Sequence, residues 1–142
     1  MKLTEQQQQT LRAAVDRIIP PDDFPGGWQS GVGDYLARQF EGDLRPVFDD
    51  YCRGLTGLDA ESRARFQQSF SKLSEADQDN VLELVEAGEV LTSWEVTPGF
   101  FFDLLVRTTA EGFYSEPEQG GNRNAVSWNM IGFEEALERG NG

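Results

Sequence analysis

Histidine is absent from this sequence, cysteine occurs once, and only two of the twelve basic residues are lysine. Without histidine neither a Ser-His nor a Cys-His pair can be built, and the commonest side-chain general acid/base is missing. The single Cys52 cannot close an internal disulfide, and with no histidine beside it ordinary zinc sites lack ligands. No apolar run approaches the roughly 20 residues needed to cross a bilayer, so direct membrane insertion is not expected. The opening "MKLTEQQQQT" also has no apolar signal-peptide core. As written, the sequence is expected in the cytoplasm, and in the periplasm only if a partner or a longer natural start carries it there.

What is present fits a small globular protein. Its 142 residues suit one domain, 1–142, with 134–142 as an acidic tail. Such a length buries roughly two thirds of the unfolded surface, enough to fold without a metal or disulfide staple. Twenty-five acidic residues against 12 basic ones give a formal charge of -13, which repels phosphate backbones and anionic lipid and makes nucleic acid an unexpected partner.

Hydrophobic periodicity predicts an all-α bundle of about six helices. Leu11, Ala14, Val15, Ile18 and Ile19 share one helical face. Thr4 with Gln7 forms a capping-box pattern at its start, and Pro20 with Pro21 stops it. After the turn-rich "PPDDFPGGWQSG", a second helix turns Val32, Tyr35, Leu36 and Phe40 inward and ends near Gly42. A third carries Leu44, Val47, Phe48, Tyr51, Cys52 and Leu55, with Pro46 in its first turn. "GLTGLD" is expected to break that helix. Asp59 would cap a fourth, containing Phe66 and Phe70, and Ser74 with Asp77 a fifth that buries Val81, Leu82, Leu84 and Val85. Asp79, Glu83 and Glu86 make a like-charged stripe on its far side, read as a solvated face because such spacing costs only a few tenths of a kcal/mol per pair.

The sixth helix, about 98–112, is capped by Thr97 and starts at Pro98. Phe100, Phe101, Phe102, Leu104, Leu105, Val106, Ala110 and Phe113 cover most of its circumference, while Asp103, Arg107 and Glu111 keep to one thin line. A helix apolar nearly all round is buried on several sides. This one is expected to be the hub of the bundle.

Several short patterns that suggest chemistry fail on inspection. "DQDNVLELVE" opens like a calcium loop, but Leu82 stands where the tight turn requires glycine. "GVGDYL" has two glycines and no preceding strand, so it is no dinucleotide fingerprint. The adjacent pairs Asp22/Asp23 and Asp49/Asp50 fit capping better than catalysis. No catalytic, cofactor-binding or metal-ligating residue is therefore assigned.

The segment "EGFYSEPEQGGNRNAVSWNMIGF", residues 111–133, stands apart from this acidic helical background. From Gln119 to Phe133 its only charge is Arg123. Gly120, Gly121 and the asparagines permit turns, yet bulky apolar residues flank them on both sides. Three uses are compatible with the residues: a lid folded over the bundle, a protein-docking surface, and a sugar platform built from Trp128 and the asparagines.

"DRIIPPDDFPGG" (16–27), "GVGDYLARQ" (31–39) and above all residues 111–133 resemble the gluconate 2-dehydrogenase subunit 3 family. That resemblance implies a small helical subunit that binds no cofactor of its own. Its implied partner is a large subunit of the glucose-methanol-choline oxidoreductase type, which holds FAD and oxidises a sugar hydroxyl. A cytochrome subunit accompanies many such complexes. The small subunit would assist maturation, stability and export of the large one, although many members begin with a twin-arginine signal that is not found here. Trp28, Phe113, Tyr114, Asn122, Arg123, Trp128, Met130 and Phe133 are the expected partner-contact residues. A stand-alone carbohydrate-binding protein and a helical adaptor for an unrelated partner are the alternatives.

Overall fold

A computed structural model describes residues 2–22 and 25–115, and the statements below concern those residues. They form five α-helices: α1 (Glu5–Ile18), α2 (Val32–Phe40), α3 (Phe48–Phe66), α4 (Glu75–Ala87) and α5 (Pro98–Phe113). Single 3-10 turns at Arg45–Val47 and Phe70–Lys72 lead into α3 and α4, and no strand occurs among the described residues.

Local signals set the helix starts. The Gln7 N–H donates to Thr4 Oγ1 at 3.1 Å and the Thr4 N–H to Gln7 Oε1 at 2.9 Å, which satisfies donors that the first turn cannot pair internally. Ser74 Oγ likewise accepts from the Asp77 N–H. Thr97 occupies the capping position of α5 but its side chain makes no capping bond, and Pro98 follows at the first helical position.

The expected break at "GLTGLD" does not occur. α3 runs through it for 19 residues, so the third and fourth expected helices are one. Phe66 closes that helix and Phe70 lies in the next 3-10 turn, so the two do not share a helical face. Two interior glycines cost a helix about 1 kcal/mol each relative to alanine. Here contacts distant in sequence offset that cost. A Cβ on Gly54 would overlap the Phe101 ring, and one on Gly57 would come within 2.6 Å of the Trp94 ring.

α5 is the hub. Phe101, Leu104, Leu105, Thr108, Thr109, Gly112 and Phe113 are buried, and the helix packs on α1, α2, α3 and α4. Its exposed positions are Phe100, Asp103, Arg107 and Glu111, so Phe100 lies outside the core, on the charged line. At the centre a chain of edge-on rings joins Phe48 to Phe40, Phe40 to Tyr51 and Tyr51 to Phe101, with centroids 5.1, 5.0 and 5.9 Å apart. Such pairs add about 0.5–1.5 kcal/mol each beyond area burial. The fully buried Tyr51 hydroxyl is satisfied by Thr108 Oγ1 at 2.8 Å, and burial pushes its phenol well above the ordinary range.

The connection between α4 and α5 is laid along one stripe of α3. Gly54, Gly57, Glu61 and Arg65 follow helical spacing, and they meet Phe101, Trp94, the Leu91–Thr92 backbone and the Glu89 carbonyl in turn. Along this strap the odd positions from Glu89 to Thr97 are exposed, while Val90, Thr92, Trp94, Val96 and Pro98 are half-buried.

Glu61 fixes the strap. Its side chain is completely buried. Oε2 accepts from Arg65 Nε at 2.7 Å and the Leu91 N–H at 2.8 Å. Oε1 accepts from the Thr92 hydroxyl at 2.6 Å, the Thr92 N–H at 3.1 Å and Trp94 Nε1 at 3.4 Å. Burial alone would raise this carboxyl, but the donors from Thr92, Leu91 and Arg65 outweigh it and bring the pKa down to about 2.

Asp59 is also buried within α3 and is not a helix cap. It accepts from the Phe70 N–H at 3.0 Å and pairs with Arg63 at 2.9 Å, so it holds the turn that follows α3. On α4, Asp79 leaves the expected solvated stripe to take a two-pronged contact from Arg17 of α1 at 2.8 and 2.9 Å. That bond favours both charged forms, holding the Arg17 guanidinium up and the Asp79 carboxyl down.

Candidate protein-docking site

The loop between α1 and α2 places Trp28. Pro20 and Pro21 end α1, and the Gly27 N–H then returns to the Ile19 carbonyl at 2.9 Å. Gly26 and Gly27 are buried against the end of α1: a Cβ on Gly26 would stand 2.9 Å from Pro21 Cδ, and one on Gly27 2.7 Å from Val15 Cγ1. Asp16 Oδ1 accepts the Trp28 N–H at 3.1 Å, and Gly31 supplies the left-handed turn, at φ 103°, that begins α2.

The Trp28 indole then lies against Gly33, whose missing Cβ would otherwise approach the ring to 2.6 Å. The two glycines of "GVGDYL" therefore serve a turn and a ring socket. Beside the indole is a groove of about 340 Å³, lined by Leu3, Gln8, Leu11, Leu36, Ala37 and Phe40, with Lys2 and Trp28. The lining is concave and mostly apolar, with one ammonium and one amide.

Phe113 and Tyr114 lie on the other side of α2. A Cβ on Gly112 would meet the Tyr35 ring at 2.8 Å. Tyr35 and Gly33 are two positions apart, roughly 200° round the helix. Trp28 and the end of α5 therefore flank α2 from opposite faces. Burial, with Glu111 and Asp43 nearby, holds the Tyr35 phenol protonated. Tyr114 is half-buried and meets Phe113 edge-on at 5.0 Å.

Phe113, expected as a contact residue, is fully buried and belongs to the core. Asn122, Arg123, Trp128, Met130 and Phe133 lie outside the described residues.

Among the described residues no three His, Cys, Asp or Glu side chains converge as metal ligands, and no helix is long and apolar enough to cross a membrane. Cys52 is half-buried; burial, then Asp49, raises its thiol and so favours the unreactive protonated form.

A family model described as Gluconate 2-dehydrogenase subunit 3 matches residues 5–134. The chain belongs to that family. Membership makes this helical protein an accessory subunit of a dehydrogenase complex. No curated protein and no solved structure matches the chain.

For this subunit 3 family member, the sequence names Trp28 as an expected contact, reads Asp59 as a helix cap and gives no role to Glu61. The Arg63 and Arg65 positions, each four residues after one of those acids, were the only local signal. Such pairs are common on solvated helix faces and do not report burial.

Proposed function

We propose that this subunit is a non-catalytic partner of a FAD-dependent, glucose-methanol-choline-type sugar dehydrogenase, which it binds and supports in maturation and stability. The family match over residues 5–134 carries this reading. The Trp28 groove and the half-buried Tyr114 supply described surface for the contact, and residues 119–133 add aromatic, methionine and arginine content typical of interface centres. FAD resides in the large subunit, and a cytochrome subunit completes the electron path.

Co-expression of the tagged chain with the large subunit, followed by purification, tests the proposal. The expected result is a stable complex carrying flavin, with the large subunit less soluble or less flavinylated when expressed alone. Substrate turnover by the isolated chain, or stoichiometric flavin bound to it, overturns the proposal. Calorimetric titration with mono- and disaccharides should show no saturable heat, whereas the stand-alone sugar-binding alternative requires one.

A further inference from the structure

A second groove, of about 370 Å³, lies where α1, α4 and α5 meet. Its apolar lining comes from Ile18, Leu82, Phe102 and Val106, and all of these except Leu82 keep partial exposure. Its polar lining is Arg17 with three acids of α4: Asp79, Glu83 and Glu86. The single cation is already matched, because Asp79 grips it on two nitrogens and Glu75 lies 3.2 Å from a third. Glu83 and Glu86 make no ion pair among the described residues. The result is a greasy trough with uncompensated negative charge along its α4 side.

The chemistry that fits this trough is a long cationic side chain next to apolar ones: the aliphatic stem covers Phe102 and Val106 while the charged head reaches Glu83 and Glu86. Phosphates, anionic lipid and acidic cofactors are repelled. A second copy of this chain, with its formal charge of -13, is repelled as well. Resting on the accessory-subunit reading above, we infer that the α1/α4/α5 groove receives an arginine- or lysine-bearing amphipathic segment of the large dehydrogenase subunit, giving the complex a second contact beyond α2.

The test measures the affinity of the purified chain for the large flavoprotein subunit, comparing wild type with Glu83→Lys/Glu86→Lys and with a matched control, Glu89→Lys/Glu95→Lys, which makes the same net charge change on the strap. All four positions are exposed, and circular dichroism with thermal melting checks that each variant keeps the wild-type fold. Glu83→Gln/Glu86→Gln serves as a milder second groove variant. The groove reversal should weaken binding at least tenfold, the glutamine pair by a smaller factor in the same direction, and the control less than twofold. Binding of both groove variants within twofold of wild type overturns the inference and leaves the accessory reading standing. Equal weakening by groove and control pairs also overturns it, because net charge alone then accounts for the effect. Failure of the wild type to bind overturns the accessory reading and this inference together.

Discussion

The Thr92 hydroxyl donates to Glu61 Oε1 across 2.6 Å, and the same oxygen accepts the Thr92 backbone N–H at 3.1 Å. One carboxylate thus fixes both the backbone and the side chain of a residue on the strap, from the helix that the strap lies along. This geometry sets the first two predictions.

Glu61→Gln should destabilise the fold by about 2–3 kcal/mol, because an amide offers one acceptor oxygen where a carboxylate offers two, and buried donors left without acceptors cost about 1–3 kcal/mol. Urea unfolding at pH 7 measures the loss. Hydrogen exchange should localise it to the Leu91 and Thr92 amides. A change under 0.5 kcal/mol would show that the strap is held by other contacts.

Acidification should weaken the protein through the same group. The Glu61 pKa is depressed in the folded state to about 2 from an ordinary value of 4.5, so its contribution is complete above pH 4.5 and disappears as pH falls toward 2. That interval corresponds to about 3 kcal/mol at most. Unfolding free energies measured against pH should therefore fall more steeply for wild type than for Glu61→Gln between pH 4.5 and 2. Parallel curves would remove Glu61 as the cause.

Gly54→Ala should destabilise despite alanine's better helix propensity. The new methyl meets the Phe101 ring, and overpacking of a closed core costs about 1–3 kcal/mol, more than the roughly 1 kcal/mol propensity gain. Gly88→Ala makes a useful contrast: nothing lies within 4 Å of that Cβ, yet the backbone φ of 75° is strained for alanine. Thermal melts of the two variants separate lost space from lost conformational freedom. A Gly54→Ala protein as stable as wild type would contradict the socket.

Trp28→Ala and Trp128→Ala should each weaken assembly with the large subunit by about 2 kcal/mol, the scale of an interface hot spot, while the isolated chain stays helical. Binding measurements paired with circular dichroism check this. A variant that unfolds and shows no separate binding defect assigns its tryptophan to the core.

Legibility in the sequence followed the range of the interactions. The Thr4–Gln7 cap, the α1 stripe and the largely buried α5 could be read because propensity, capping and periodicity are local. "GLTGLD" misled because glycine's local cost is visible in sequence, whereas the Phe101 and Trp94 rings that require glycine come from distant residues. Asp59 reads as a helix cap, and Glu61 carries no signal, for the same reason: their donors at Phe70, Leu91 and Thr92 arrive only with tertiary structure. At the candidate site, the turn chemistry around Trp28 was legible and the Gly33 socket was not.

The four fastening positions on α3 also constrain how long the α4–α5 connection can be. Inward and outward side chains alternate from Glu89 to Pro98, so one extra residue between Leu91 and Trp94 would face Thr92 or Trp94 the wrong way, and one fewer would leave Trp94 short of Gly57. Substitution at Leu91, Ser93 or Thr97 is tolerable, whereas any single-residue indel puts the whole segment out of phase with the rod beneath it.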